Sequence, residues 1–148
     1  MSIAATIAIF ALLALAGFAA YVRFAPSDPA HWHADPGPGD VGPCDRITTT
    51  AKSARVSCLH PETPQTLLSR LDAIARQTPR TTRLAGSSDT GRITWITRTA
   101  LWGFPDFTTA QATVLPDGTR LDIFARTRFG GGDFGVNGKR LRLWMTKL

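Results

Sequence analysis

The stretch TAQATVLPDGTRLDIFARTR, Thr109 to Arg128, decides the fold. Its first part alternates, with Ala110, Ala112 and Val114 on one side from Thr109 to Leu115. Pro116-Asp117-Gly118 then supplies turn chemistry between two strands. From Arg120 to Arg128 the alternation resumes, with Leu121, Ile123 and Ala125 opposing Asp122, Phe124 and Arg126. Two alternating runs joined by a short turn predict an antiparallel pair.

Upstream, Arg92 to Arg98 alternates in the same way: Ile93, Trp95 and Thr97 against Thr94, Ile96 and Arg98. A shorter strand is expected over Thr81 to Ala85. The first clear element of the domain starts at Thr63-Pro64, where Thr63 caps and Pro64 suits the first helical position. Leu67, Leu68, Leu71, Ile74 and Ala75 then recur at helical spacing until Gln77-Thr78-Pro79. Its polar side (Ser69, Arg70, Asp72 and Arg76) is read as solvated. The last segment, Asp133 to Lys147, reads as a helix with Phe134, Leu141, Trp144, Met145 and Leu148 towards the sheet. Its basic side carries Lys139, Arg140, Arg142 and Lys147, with Lys147 well placed against the C-terminal dipole. The expected class is α+β: an antiparallel β-sheet with helices on one face, preceded by a single N-terminal transmembrane helix.

That transmembrane segment is Ile3 to Val22, an apolar run broken only by Thr6. About 20 apolar residues suffice to cross a bilayer core. A cleaved signal peptide would carry a basic n-region, and here only Met1 and Ser2 precede the run. No cysteine in or just after it marks a lipoprotein. The chain therefore divides into an anchor (1–24), a Pro/Gly-rich linker (25–43) and an α+β soluble domain (44–148).

The linker, APSDPAHWHADPGPGDVGP, has neither helical nor strand period. It is either a free connection or a segment draped over the domain. His31, His33 and Asp35 suggest metal ligation, but zinc sites need three or four protein ligands and only His60 remains elsewhere. No metal or cofactor is expected, and Trp32 reads as an anchor at the membrane interface. Arg23 beside the span favours a cytoplasmic domain by the charge rule. Cys44 and Cys58 argue for the other side, since they can form a disulfide in an oxidising compartment. Two unrelated buried thiols are the alternative reading. The reading adopted is a single-pass membrane protein with a periplasmic domain.

Two further segments are Arg98-Thr-Ala-Leu-Trp-Gly-Phe-Pro-Asp106 and Arg128-Phe-Gly-Gly-Gly-Asp-Phe-Gly-Val-Asn-Gly-Lys-Arg140. Together they resemble the bacterial family known as domain of unknown function 1499. Its members pair an "RTxxxGFxD"-like stretch with a later "SRxGxxDxGxNxxR"-like stretch. The first is matched by Arg98, Thr99, Gly103, Phe104 and Asp106. The second is matched by Arg128, Gly130, Asp133, Gly135, Asn137 and Arg140. Thr127 stands where a serine is common, and Gly138 where a basic residue often stands. The resemblance covers about the last two-thirds of the chain. It implies a membrane-linked envelope protein and attaches no activity.

The residues themselves allow two arrangements. In one, Arg98, Arg128 and Arg140 converge beside the Gly-rich turn to make a small anion pocket with Gly130, Asp133 and Asn137. In the other, Asp133 caps its own helix, Asp106 pairs with Arg128 or Arg140, and the glycines serve positive φ. "GGGDFG" lacks the Lys-Ser/Thr of a phosphate loop. An Asp106–Asp133 carboxylate pair would be the only basis for hydrolysis, and no nucleophile has a base in its motif. No catalytic residue is assigned.

The net charge is +6, with the excess of Lys and Arg after Pro61. A tethered basic domain is drawn to anionic headgroups, and part of the charge is a solvated face. No nucleic-acid motif is visible. The expected partners are the lipid bilayer and another membrane protein or complex. The expected role is a non-catalytic interaction protein, an accessory subunit or assembly factor. The alternative is a binding module for an anionic small molecule or lipid headgroup.

Overall fold

The computed structural model of the protein describes residues 2–148, and in it six strands form one antiparallel sheet. They are β1 (Thr48–Thr49), β2 (Ser53–His60), β3 (Thr81–Ser87), β4 (Arg92–Arg98), β5 (Pro105–Leu115) and β6 (Gly118–Thr127). Their order across the sheet is β1-β2-β6-β5-β4-β3. The helices are α1 (Ile3–Phe24), α2 (Pro29–Trp32), α3 (Pro64–Gln77) and α4 (Val136–Lys147).

Register explains the core. Ile93 pairs with Ala110, Ala110 with Ile123, and Ile123 with Val56, so one apolar row crosses four strands. Alternation extends this face to Trp95, Leu121, Ala125, Ala54 and Cys58, all buried. The expected Thr63 cap and Pro64 start α3, and Leu67, Leu68, Leu71 and Ala75 cover that face. Leu141 and Trp144 of α4 complete it. The rings of Trp95 and Trp144 meet edge to face at 5.4 Å. Each indole N–H is satisfied, Trp95 by Asp72 at 2.8 Å and Trp144 by the Thr78 hydroxyl at 2.8 Å.

Asp72 therefore differs from its expected place on a solvated face. It is buried, takes the Trp95 indole N–H, and forms an ion pair with Arg83 of β3. Burial pushes its carboxyl up, but the hydrogen bonds from Arg83 and Trp95 outweigh that and hold it below the ordinary range. A lowered folded pKa stabilises above the unfolded value, and the benefit is lost as pH falls through the folded value. Urea titrations between about pH 5 and about pH 2 should show a shallower acid loss for Asp72→Asn than for the wild type.

The sheet's other face is polar, and the segment 25–43 covers it. Trp32 stacks on Phe107 with centroids 3.8 Å apart and planes 6° apart. His33 Nδ1 lies 2.9 Å from the Thr94 hydroxyl, and Asp35 meets Arg92 at 3.2 Å. Arg55 donates to the carbonyls of Pro36 and Gly37, and Arg120 to that of Gly39. Arg126 donates to the carbonyl of Trp32 at 2.6 Å. Of the two placements open to this segment, the chain adopts the draped one. Trp32 sits on the sheet through Phe107, where an anchor in the interface was expected.

Other expectations shift in detail. β2 was not anticipated, and β5 begins four residues earlier, at Pro105. α4 starts at Val136, after Gly135 at φ 75°. Phe134, expected against the sheet, is 96% exposed. Cys44 and Cys58 form a disulfide with Cα atoms 5.1 Å apart, which resolves the two readings of these residues. Closing a loop of this length restricts the unfolded chain by about 3 kcal/mol in the entropic account.

Candidate functional site

The second half of the family-like motif is built on the start of α4. Asp133 precedes the helix, and its two carboxylate oxygens accept the N–H groups of Gly135 at 2.8 Å and Asn137 at 3.1 Å. Its own N–H donates to the Ala51 carbonyl, which ties the glycine turn to the loop ahead of β2. Asn137, Arg140, Leu141 and Trp144 recur at helical spacing on the buried side. Arg140 therefore enters the interior. It donates to Asn137 Oδ1 at 2.5 Å and to Asp106 Oδ2 at 3.3 Å.

Asp106 lies opposite Thr127 on β6 and is only 3% exposed. Burial pushes its carboxyl above the ordinary range, against the Thr127 hydroxyl and Arg140, which favour the ionised form. Burial also lowers Arg140, against the same carboxylate. The cluster is a buried polar network in which Asn137 Nδ2 is left without a partner.

Thr99 and Phe104 close the loop between β4 and β5 by two hydrogen bonds of 3.0 Å, from the Phe104 N–H to the Thr99 hydroxyl and from the Thr99 N–H to the Phe104 carbonyl. Gly103 sits in this loop at φ 72°, where a side chain would be strained. Arg98 donates to its carbonyl at 2.9 Å. The Arg23 guanidinium lies over it, with Nε 3.0 Å from the place a Cβ would take. Arg128 donates to the Pro26 carbonyl at 2.6 Å and lies over the Phe129 ring.

The three arginines do not gather. Alternation puts Arg98 and Arg128 at the α1 end of the face that Trp32 covers, whereas Arg140 lies on the helix side with Asp106. A cavity of about 470 Å³ does open beside the motif, between Phe104, Phe129, Phe134 and Val136. It contains the carboxylates Asp106 and Asp133 and no arginine, so its chemistry is apolar and acidic. Gly130 has φ 89° and serves the turn. Of the two arrangements open to these residues, the geometry matches the second: Asp133 caps, Asp106 pairs with Arg140, and the glycines take positive φ. Both Asp133 oxygens accept backbone N–H groups at the start of α4, which accounts for this carboxylate as a helix cap.

A family model described as a protein of unknown function (DUF1499) matches residues 37–148. The chain belongs to the DUF1499 family. None of the curated proteins matches it. The family match starts at Gly37, so the last part of the covering segment belongs to the DUF1499 unit, while α1, Trp32 and His33 precede it.

The arginines that hold this segment were missed as a group. Arg55, Arg92, Arg120 and Arg126 project from one sheet face and donate to Gly37, Asp35, Gly39 and Trp32. Burial pushes Asp122 up, but Arg120, the Ser57 hydroxyl and the Gly39 N–H outweigh it and lower its carboxyl pKa. Much of the positive charge thus serves internal bonding. The available signal was the alternation of arginine with Thr, Asp and Phe along β4 and β6, which marks a polar face with its own cover.

Proposed function

We propose that the protein is a single-pass, non-catalytic interaction protein of the bacterial inner membrane, an accessory subunit or assembly factor of a membrane complex. One observation carries this reading. The two carboxylates of the family motif are held within the fold, Asp106 by Arg140, which also donates to Asn137, and Asp133 by the backbone at the start of α4. Such a network fixes a shape and leaves no reactive pair. α1 is long and apolar enough to cross a membrane, with a mean hydropathy of 2.4. The Cys44–Cys58 bridge suits an oxidising compartment and favours a periplasmic domain.

The test is purification of the full chain from native membranes in mild detergent, with mass spectrometry of what accompanies it. A stoichiometric membrane-protein partner is expected. Recovery of the chain alone would count against a complex subunit. It would shift weight to a module that binds an anionic small molecule or lipid headgroup. That second reading draws on Arg98 and Arg128, which lie near Arg23 at the end of α1.

A further inference from the structure

The end of α1 is not free of the domain. Phe104 meets Phe18 edge to face at 6.3 Å, and Phe129 meets Tyr21 at 6.0 Å. Val22 is wholly buried, and Arg23 lies over Gly103. Phe18 is six residues before the last residue of α1, which is about 9 Å along a helix axis. At 22 residues the helix is about 33 Å long, against a hydrocarbon core of about 30 Å. Phe104 therefore reaches alongside the span to the depth of the bilayer interface. Phe129 reaches nearly as far.

The same two segments carry large apolar side chains with little protein cover. Leu101, in the β4–β5 loop, is 79% exposed, and Phe134, in the glycine turn, is 96% exposed. Phe134 also has φ 51°, a rare conformation for a bulky residue. Arg23, Arg98 and Arg128 stand on or against these segments, and among the described residues none of them forms an ion pair. The nearest motif carboxylates, Asp106 and Asp133, are buried. Exposed apolar side chains beside guanidinium groups without carboxylate partners suit the two layers of an anionic leaflet, acyl chains and phosphates.

We propose that the loop 99–104 and the segment 129–134 dip into the interface of the bilayer that α1 crosses. Leu101, Phe104, Phe129 and Phe134 enter the acyl boundary, and Arg23, Arg98 and Arg128 lie at the level of anionic lipid phosphates. The domain then rests on the membrane in one fixed orientation. The proposal depends on α1 being a membrane anchor and is independent of any protein partner.

The test uses the full chain in proteoliposomes of phosphatidylglycerol and phosphatidylethanolamine. Because Cys44 and Cys58 are bonded to each other, a single introduced cysteine is the only free thiol among the described residues. An environment-sensitive fluorophore is placed at Leu101→Cys, Phe134→Cys, Asp117→Cys or Leu12→Cys, and quenched by lipids with nitroxides at shallow or deep acyl positions. Asp117 lies in the turn at the far end of the β5–β6 hairpin, and Leu12 lies mid-helix. The expected result is blue-shifted emission and strong shallow quenching at positions 101 and 134, deep quenching at 12, and none at 117. If 101 and 134 behave like 117 while 12 is quenched, the anchor stands and the dipping loops are overturned. Quenching of 117 equal to that of 101 and 134 overturns the fixed orientation. Absence of quenching at 12 removes the anchor, and the proposal with it. Protection of 101 and 134 from both water-soluble and lipid quenchers would mean that protein covers them, which also overturns it.

Discussion

Replacing Asp106 with alanine should destabilise the domain by about 3–5 kcal/mol, because it strands a buried guanidinium. Arg140 is 7% exposed, and its charged partner is Asp106; without it only Asn137 Oδ1 remains. Small domains have about 5–15 kcal/mol to lose in total, so this one change removes a large share of the stability. The ion pair itself is not a strong source of stability, since desolvating both charges offsets most of their attraction. Asp106→Ala combined with Arg140→Met should therefore recover most of the loss. Urea unfolding followed by circular dichroism checks both variants. An Asp106→Ala midpoint within error of the wild type would sink the idea that this carboxylate neutralises Arg140. A double variant no better than the single one would show that the pair does more than cancel charge.

Trp144→Ala should also cost about 3–5 kcal/mol, for a different reason. The side chain is fully buried between α3 and the sheet, edge-on to Trp95, and donates to Thr78 at the end of α3. Truncation leaves a cavity that the surrounding strands cannot close and removes the hold of α4 on α3. Trp144→Phe keeps most of the packing and should lose about 1 kcal/mol with the hydrogen bond. The near-ultraviolet dichroism of the Trp95–Trp144 pair should vanish in both variants, while far-ultraviolet helicity persists in Trp144→Phe. Equal losses for alanine and phenylalanine would mean that the hydrogen bond, not the ring volume, holds α4.

The hairpin of β5 and β6 was legible because its two runs are adjacent and alternate strictly around a Pro-Asp-Gly turn. α3 was legible for similar reasons: a cap, a proline at the first position and a leucine stripe. β2 was not. Ser53 to His60 buries only Ala54, Val56 and Cys58 on its core side, with no large apolar group, and its main partner is β6, far away in the chain. The alternation along β4 and β6 marks the polar face, but the segment that covers it has no period of its own, since much of its hold joins arginine side chains to backbone carbonyls of a Pro/Gly stretch. At the site, the residues of the motif were visible one by one, but their partners were not. Arg140 was read on the basic side of its helix, but it shares the spacing of Asn137, Leu141 and Trp144 and points inwards, away from Arg98 and Arg128. Phe134 was misread because Gly135, at positive φ, delays the helix past it.

The covering segment has a consequence for the order of events on the ribosome. Trp32 waits for Arg126, 94 positions later, and Gly39 for Asp122, 83 positions later. β2 likewise has little but the two-residue β1 to pair with until β6 exists. Chains are made from the N-terminus at about 5–20 residues per second, so α1 leaves the ribosome while its own domain has no sheet. Residues 25–43 have nothing to cover until β6 is made, and the end of α1 gains Phe104 and Phe129 only late in synthesis. The join between helix and domain is thus made last.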